Sequence, residues 1–208
     1  MKTVWMILFA LLWVGCSSGS DQTETETETE VESETSTEME MSDMQSDSVS
    51  ESESEEEEVL SPEREASGEI GGSQILINYS APSVRERVIW DDLVAYDEIW
   101  VSGAHMATSV EFEDDMLVNG EPVPAGKYAF FTVPGEENWT VIMNEHWDQH
   151  QAGEYDAELD VARFDVEPMQ NDHTEQLVYT VVSEDEDSGF IELAWEEIMI
   201  RVPVSAAQ

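Results

Sequence analysis

The chain has 208 residues, with 49 Asp and Glu against 7 Lys and Arg, which gives a formal net charge of −42 and a pI near 4.1. This balance excludes nucleic-acid binding through the phosphate backbone, which needs a basic face. It also argues against docking on anionic lipid by charge. The single cysteine excludes a disulfide within the chain, and the length allows one ordinary domain with additional segments.

Residues 1–15 are predicted to be an export signal. Lys2 is followed by an uncharged, apolar run from Thr3 to Gly15. At about 1.5 Å per residue this run would extend about 20 Å as a helix, well short of the ~30 Å hydrocarbon core of a bilayer. The run therefore has the form of a signal-peptide core rather than that of a spanning helix.

The only cysteine of the chain directly follows this run. The segment Leu12-Trp13-Val14-Gly15-Cys16 resembles the lipobox of bacterial lipoproteins, in which the cysteine is lipidated and becomes the new N-terminus. The resemblance implies a lipoprotein of the bacterial cell envelope, anchored in a membrane by acyl chains such as palmitate on Cys16. It would lie at the periplasmic face or the cell surface. The alternative is an ordinary secretory signal followed by an incidental thiol.

Residues 16–66 are predicted to be the lipidated cysteine and a disordered acidic linker. From residue 17 to residue 66 there are 19 acidic side chains and one base, Arg64, so the segment carries a formal charge of −18. It has no aromatic side chain and very few branched apolar ones, so it cannot bury enough apolar surface to offset its chain entropy. We interpret this segment as a tether between the membrane and a folded domain.

Residues 67–208 are predicted to form one globular domain. They hold the remaining 30 of the 49 acidic residues and five bases, with Lys127 as the only lysine, for a formal charge of −25. Excess surface carboxylate with almost no lysine is typical of salt-adapted proteins, because high ionic strength screens the repulsion between like charges. The composition therefore indicates a salt-adapted, or halophilic, bacterial source.

The domain is predicted to consist of short strands separated by turn residues. Alternating or β-branched runs predict strands over residues 74–79, 107–112, 116–118, 122–123, 127–133, 139–143, 161–166, 176–182, 190–195 and 198–204. Asn119-Gly120 is a strong signal for a tight hairpin turn. Only residues 144–160 could hold a helix, and a short one. The pattern predicts an all-β fold, an antiparallel β-sandwich or jelly-roll-like single domain.

Many ordered motifs in this domain match one bacterial family. They are Asn78-Tyr79-Ser80-x-Pro82, Ile89-Trp90-x-x-Leu93-Val94-x-Tyr96-x-x-Ile99-Trp100, Gly103-Ala104, Ala107-Thr108, Pro124-Ala125-Gly126-Lys127-Tyr128, Phe131-Thr132-Val133-Pro134-Gly135, Trp139-Thr140-Val141-Ile142, His173-Thr174-Glu175 and Trp195-Glu196. Through these motifs residues 74–204 resemble the exported or lipoprotein-type domain of unknown function number 2911. The resemblance implies an exported all-β domain with no established activity. The chain departs from the family where Val101 and Met106 replace an Arg and a Glu, so no role resting on that charge pair is expected here.

Four histidines are the candidates for metal or acid–base chemistry. His146 and His150 are four residues apart, so on a helical turn they would share a face and could hold a divalent transition metal. His105 is predicted at the start of a strand and His173 on the turn before another, where the loops of a sandwich gather. We expect a shared site at the rim formed by His105, His150 and His173, with His146, Tyr155 and Glu175 as supporting groups. The alternative is that each imidazole is hydrogen-bonded locally.

Aromatic side chains suggest a second kind of site. Trp90, Tyr96 and Trp100 lie in a predicted long connection, and with Trp147 they could line a shallow groove for a carbohydrate or peptide ligand. The alternative is that these rings fasten the connection to the sheet. Trp139 and Trp195 lie in predicted strands and are expected in the core.

The sequence leaves enzymatic activity open. The predicted domain, residues 67–208, contains no Gly-x-Ser-x-Gly nucleophile elbow and no glycine-rich phosphate loop before a helix, and lipidation would use the only cysteine. We therefore expect a lipid-anchored envelope protein with an all-β ligand-binding module, with the membrane as one partner and no nucleic acid. A His-centred metal-assisted hydrolase is the first alternative and a structural envelope spacer is the second.

Overall fold

The structure is a computed structural model that describes residues 60–207. The predicted signal peptide, the predicted lipidation site Cys16 and the predicted linker as far as residue 59 lie outside the described residues. Among the residues that are described, no helix is long and apolar enough to cross a membrane.

Ten strands and one short 3-10 turn make up the regular structure of residues 60–207. The strands are β1 (Glu63–Ile70), β2 (Ser73–Ser80), β3 (Ser109–Phe112), β4 (Met116–Val118), β5 (Glu121–Val123), β6 (Gly126–Val133), β7 (Trp139–Asn144), β8 (Asp160–Val166), β9 (Met169–Ser183) and β10 (Ser188–Ala206). The 3-10 turn spans Ala157–Leu159.

The strands form two antiparallel sheets. The larger sheet has six strands in the order β1-β2-β3-β6-β7-β8, and the smaller has four in the order β5-β4-β10-β9. Every pairing within these sheets is antiparallel. The predicted all-β antiparallel fold is therefore confirmed.

The main core lies between the two sheets. In β2 the side chains of Ile75 and Ile77 are fully buried, because alternate residues of a strand face the same side of its sheet. They belong to one apolar cluster with Leu177 and Leu193 of the smaller sheet. The predicted core residue Trp195 is also in this cluster and is 1% exposed.

A second apolar layer covers the outer face of the six-stranded sheet. Phe131 of β6 and Ile142 of β7 alternate with inward-facing neighbours and cluster with Val101 and Ala107. Tyr155 packs against the same cluster from the connection between β7 and β8. Two connections, residues 99–108 and 145–156, thus lie over this outer face, and they carry three of the four histidines.

The domain begins earlier than the predicted boundary at residue 67. Strand β1 starts at Glu63, four residues before that boundary, and pairs with β2 from Glu63↔Ser80 to Ile70↔Ser73. Its only apolar side chains are Ala66 and Ile70, which alternate with polar residues on either side of Gly68, and this short pattern did not reveal a strand. A Cβ on Gly68 would lie 2.7 Å from the Cβ of Val181 on β9, so glycine permits the close approach of these two strands.

The two strands predicted near the C-terminus are one long strand, β10. The pairing of β10 with β9 shifts register between Ala194 and Glu196 and again between Glu196 and Ile198. Glu196 has a φ of +57°, as expected where a bulge interrupts a ladder. Residues 196–197, which separated the two predicted strands, lie at this bulge.

Candidate functional site

A cleft of about 270 Å³ lies on the six-stranded sheet, at the strand ends where β1, β2 and β3 meet the connection that contains Met106. Its lining residues are Glu63, Arg64, Asn78, Tyr79, Ser80, Met106, Ala107, Ser109, Trp147 and Asp148. A shallower depression adjoins it and shares three of these residues, Glu63, Ser80 and Met106, and it extends the lining to His105. We call the two together the Trp147 cleft.

The floor of the Trp147 cleft is built from polar side chains of paired strands. Asn78 of β2 lies directly opposite Ser109 of β3, and Ser80 lies opposite Glu63 of β1. Residues 78 and 80 alternate with the inward-facing Ile75, Ile77 and Tyr79, so they share the outer face. The hydrophobic alternation that builds the core thereby places a row of hydrogen-bonding groups on the opposite face.

One wall of the cleft is the connection from Val101 to Thr108, which buried hydrogen bonds anchor to the sheets. The carbonyl oxygen of Ser102 accepts hydrogen bonds from the Tyr179 hydroxyl at 2.8 Å and from Thr108 Oγ1 at 3.0 Å. Ser102 Oγ lies 3.0 Å from Thr132 Oγ1. Burial raises the pKa of Tyr179 well above its usual value, which keeps the phenol in its neutral, donating form.

The anchored connection then pairs with the segment that contains His150. The backbone N–H of Gln151 donates to the His105 carbonyl at 2.8 Å, and the N–H of Ala107 donates to the Gln149 carbonyl at 2.9 Å. Met106 and His150 form an antiparallel bridge between these two hydrogen bonds. His105 has a φ of +61° in this arrangement, and the centroids of the His105 and His150 rings are 6.5 Å apart.

The second wall is the start of the connection from β7 to β8. Buried Asn144 donates to the Asp156 carbonyl and to Asp160 Oδ1, each at 2.8 Å, and accepts from the His146 N–H. Trp147 follows and is 39% exposed. The ammonium group of Lys127 lies 4.2 Å from the centroid of the Trp147 ring, a cation–π contact that orients the indole.

The structure brings two of the predicted histidines together and gives the other two different neighbours. His146 Nε2 lies 3.9 Å from Glu154 Oε2, and His173 Nε2 lies 3.4 Å from Glu175 Oε2. Glu175 also accepts a hydrogen bond from the Arg85 backbone N–H. That bond and the contact with His173 lower the pKa of the Glu175 carboxyl.

Two parts of the histidine prediction are wrong. His146 and His150 do not share a helical face, because the only helical turn within residues 144–160 is the 3-10 turn at Ala157–Leu159. His173 is not on a turn, since it lies inside β9, whose pairing with β10 continues past it to Met169. Within the described part of the chain, no group of three or more His, Cys, Asp and Glu side chains is placed to hold a metal ion.

Tyr155, predicted as a supporting group, belongs to a separate polar cluster. Its hydroxyl donates to Asp160 Oδ2 at 2.7 Å and accepts from Arg163 Nη1 at 3.1 Å. Burial and the hydrogen bond to Asp160 raise the pKa of Tyr155 to about 12. This phenol therefore stays protonated at neutral pH and fixes the end of the connection.

The four aromatic rings predicted to line a groove do not share one. Trp90 and Trp100 pack with the core residues Trp139 and Trp195, with the Trp90 and Trp139 ring centroids 4.9 Å apart and those of Trp100 and Trp195 5.8 Å apart. These two rings therefore fasten their connection to the core. Tyr96 is half-buried, and desolvation is the main cause that raises its pKa. Of the four, only Trp147 lines the cleft.

Several residues of the cleft were not predicted as site residues. Asn78, Ser80 and Ser109 are polar positions within or beside Ile- and Val-rich strands, and Met106 is 41% exposed. The period of two in residues 74–80 was the available signal, because it already places Asn78 and Ser80 on the face opposite the isoleucines. Trp147 was predicted as a groove residue, but nothing in the local sequence indicated that it and Asp148 would lie beside these strand residues.

Comparisons with known proteins give one family and no individual relative. A family model described as "Protein of unknown function (DUF2911)" matches residues 61–204. No curated protein and no solved structure matches the chain. The matched region begins two residues before β1 and ends in β10, so it spans both sheets and both walls of the cleft.

Proposed function

The chain belongs to the family described as "Protein of unknown function (DUF2911)", and from the geometry of its own residues we propose that the domain is a carbohydrate-binding module. We further propose that it is carried by a lipid-anchored protein of the bacterial cell envelope. The observation that supports binding is the Trp147 cleft, in which a half-exposed indole stands beside convergent amide, hydroxyl and carboxylate groups.

The lining suits a sugar ring. Sugars present one face of C–H groups, which pack on aromatic rings, and an edge of hydroxyls, which pair with planar polar side chains. Trp147 and Met106 supply the apolar contact in this cleft, and Asn78, Ser80 and Asp148 supply hydrogen-bonding groups. The lining thus combines an apolar surface with a few fixed polar groups.

Charge and size narrow the ligand further. The cleft holds the acidic Glu63 and Asp148 against one base, Arg64, in a chain with a net charge of −42. An anionic ligand would be repelled, so a neutral saccharide is favoured. The two parts of the cleft have volumes of about 270 Å³ and about 460 Å³, within the size range of small-molecule sites, which suits a short saccharide.

The proposed anchoring rests on the sequence before the domain. The lipobox-like segment that ends at Cys16 would attach the chain to a membrane, and the acidic residues 17–59 would separate the domain from the lipid surface. A binding domain on such a tether would reach carbohydrate polymers of the envelope. The membrane and a saccharide are thus the two proposed partners.

The proposed test is calorimetric titration of the chain with a panel of neutral saccharides, comprising cellobiose, maltotriose, chitobiose and mannobiose. We expect at least one of them to bind and Trp147→Ala to weaken that binding at least about tenfold, or about 1.4 kcal/mol. Leu93→Ala is the matched control, because Leu93 is similarly exposed (46%) but lies outside the cleft. Equal affinity of the Trp147→Ala variant, or no binding by any saccharide, would contradict the proposal.

A His-centred metal-assisted hydrolase is a second candidate, and the proximity of His105 and His150 favours it. His105 lines the Trp147 cleft and the centroid of the His150 ring lies 6.5 Å from that of the His105 ring, so a saccharide bound there would lie near imidazoles, the side chains suited to acid–base chemistry at neutral pH. Release of reducing ends from the bound saccharide, abolished in His150→Ala, would support hydrolysis over simple binding. A purely structural spacer would show neither saccharide binding nor turnover.

A further inference from the structure

We infer that His105, His150 and the Met106 thioether form a binding site for a monovalent soft metal ion, Cu(I). The site overlaps the Trp147 cleft, because His105 and Met106 line that cleft, but it does not depend on saccharide binding there. It is carried by the distance between the two imidazoles and by the residue placed beside them.

The ring separation matches a metal held between two imidazoles. A metal–nitrogen bond of about 2.1 Å, together with roughly 1.2 Å from the nitrogen to the ring centroid, places each centroid about 3.3 Å from the metal. Two imidazoles on opposite sides of one ion would therefore have centroids about 6.6 Å apart, whereas a tetrahedral angle would bring them to roughly 5.4 Å. The observed separation of 6.5 Å therefore places both imidazoles within reach of a single ion, and the preference for Cu(I) comes from the third ligand.

Met106 supplies a ligand of matching softness. It lies directly across the antiparallel bridge from His150, and side chains opposite each other in such a pair have Cβ atoms about 4.5–5.5 Å apart. Met106 is 41% exposed, so its side chain is not packed in the core. Thioether and imidazole together favour Cu(I) over hard divalent ions.

The backbone that carries the three side chains is fixed before any ion binds. The hydrogen bonds Gln151 N–H to His105 carbonyl and Ala107 N–H to Gln149 carbonyl flank the Met106–His150 bridge on both sides. His105 adopts φ +61°, a left-handed conformation in which non-glycine residues seldom lie. Paired loops that fix their ligands lower the ordering cost of binding.

The test is anaerobic titration of the full chain with Cu(I) against the chromophoric chelator bicinchoninate, in a Cys16→Ser background that removes the competing thiol. We expect one Cu(I) per chain to be held against the chelator. His105→Ala and His150→Ala should each weaken binding at least tenfold, and Met106→Leu should weaken it severalfold while preserving side-chain volume. Met39, Met41 and Met44 supply further thioethers outside the described residues, so the histidine variants decide the result rather than stoichiometry alone.

His146→Ala and His173→Ala are the matched controls. Each removes an imidazole that lies beside a glutamate, Glu154 or Glu175, and not beside His105 or His150 in the ring contacts of the described residues. Both should bind Cu(I) within twofold of the parent chain. NMR of the imidazole C–H resonances with Ag(I), a diamagnetic ion of the same preference, should shift His105 and His150 and leave the other two unchanged. Unaltered affinity in His105→Ala or His150→Ala, equal loss in a control variant, or tighter binding of Zn²⁺ than of Cu(I) would overturn the inference.

Discussion

The carbonyl oxygen of Ser102 offers a quantitative test of how the cleft wall is held. It accepts two hydrogen bonds, from Tyr179 and from Thr108, and all three residues are buried. Tyr179→Phe or Thr108→Val removes one donor and leaves the carbonyl with the other. Each single substitution should therefore lower the free energy of unfolding by about 0.5–1.5 kcal/mol, the usual net value of one hydrogen bond.

The double variant should cost more than the two single variants together. It deprives a buried carbonyl of both donors, which adds a desolvation penalty of roughly 1–3 kcal/mol. The total of about 2–6 kcal/mol would lower the melting temperature by about 10 °C at the middle of that range for a domain of this size. Urea unfolding of the parent, both single variants and the double variant gives the coupling energy directly.

Tyr128→Phe with Thr108→Val is the control pair. The Tyr128 hydroxyl donates to the Pro124 carbonyl at 2.9 Å, so the two substitutions share no acceptor and their effects should add. Additivity within about 0.5 kcal/mol for Tyr179→Phe with Thr108→Val as well would refute the argument that this carbonyl anchors the wall.

Further predictions concern the anchor, the domain boundary, salt and pH. Cys16→Ser should release the protein from the membrane fraction, because lipid on Cys16 is the proposed anchor, and retention in the membrane pellet would contradict this. Glu-specific limited proteolysis should leave a resistant fragment that begins at or before Glu63, where β1 starts; a core that begins only after residue 67 would count against it. The unfolding midpoint should rise between dilute buffer and molar salt as carboxylate repulsion is screened, and a flat or falling midpoint would argue against salt adaptation. Folding raises the pKa of Tyr155 to about 12, so its contribution to stability is complete below its ordinary pKa and is lost as the pH rises through the folded value. Between about pH 8 and about pH 11 the unfolding midpoint should therefore fall further in the parent than in Tyr155→Phe. An equal fall in the two proteins would exclude this linkage.

Sequence patterns over a few neighbouring residues correctly predicted one strand, one hairpin turn and two core tryptophans. The alternation in residues 74–79 identified β2, since one face of that strand had to be apolar. Asn119-Gly120 predicted the hairpin between β4 and β5, and both residues have positive φ, as a tight turn of that type requires. Trp139 and Trp195, predicted as core residues, are each 1% exposed.

Features fixed by contacts between distant residues were predicted poorly. Strand β1 is polar and acidic, so its own sequence did not predict a strand. Its extended structure depends on pairing with β2 and on packing against β9. Trp90 and Trp100 were candidates for a groove because a sequence does not reveal which rings will meet, and here they meet Trp139 and Trp195. His173 was assigned to a turn because β9 continues through a polar stretch that has no apolar period.

The Trp147 cleft depends on such long-range contacts throughout. Asn78 and Ser109 are paired across strands, and the wall that carries Met106 is positioned by Tyr179, a residue far away in the chain. Chemistry-bearing residues could therefore be named from the sequence, but their grouping could not. The sequence predicted that Trp147 lines a groove, as it does, but with Trp90, Tyr96 and Trp100, which are not among its neighbours in the cleft.

The most direct test of the account is the indole N–H spectrum of the full chain labelled with ¹⁵N-tryptophan, recorded during titration with the saccharide that binds most tightly in calorimetry. We predict that the Trp147 resonance shifts progressively with saccharide concentration. The resonances of Trp139 and Trp195, each 1% exposed, should stay in place. A shift confined to another tryptophan, or no shift of Trp147 at saturating saccharide, would contradict the assignment of the cleft as the binding site.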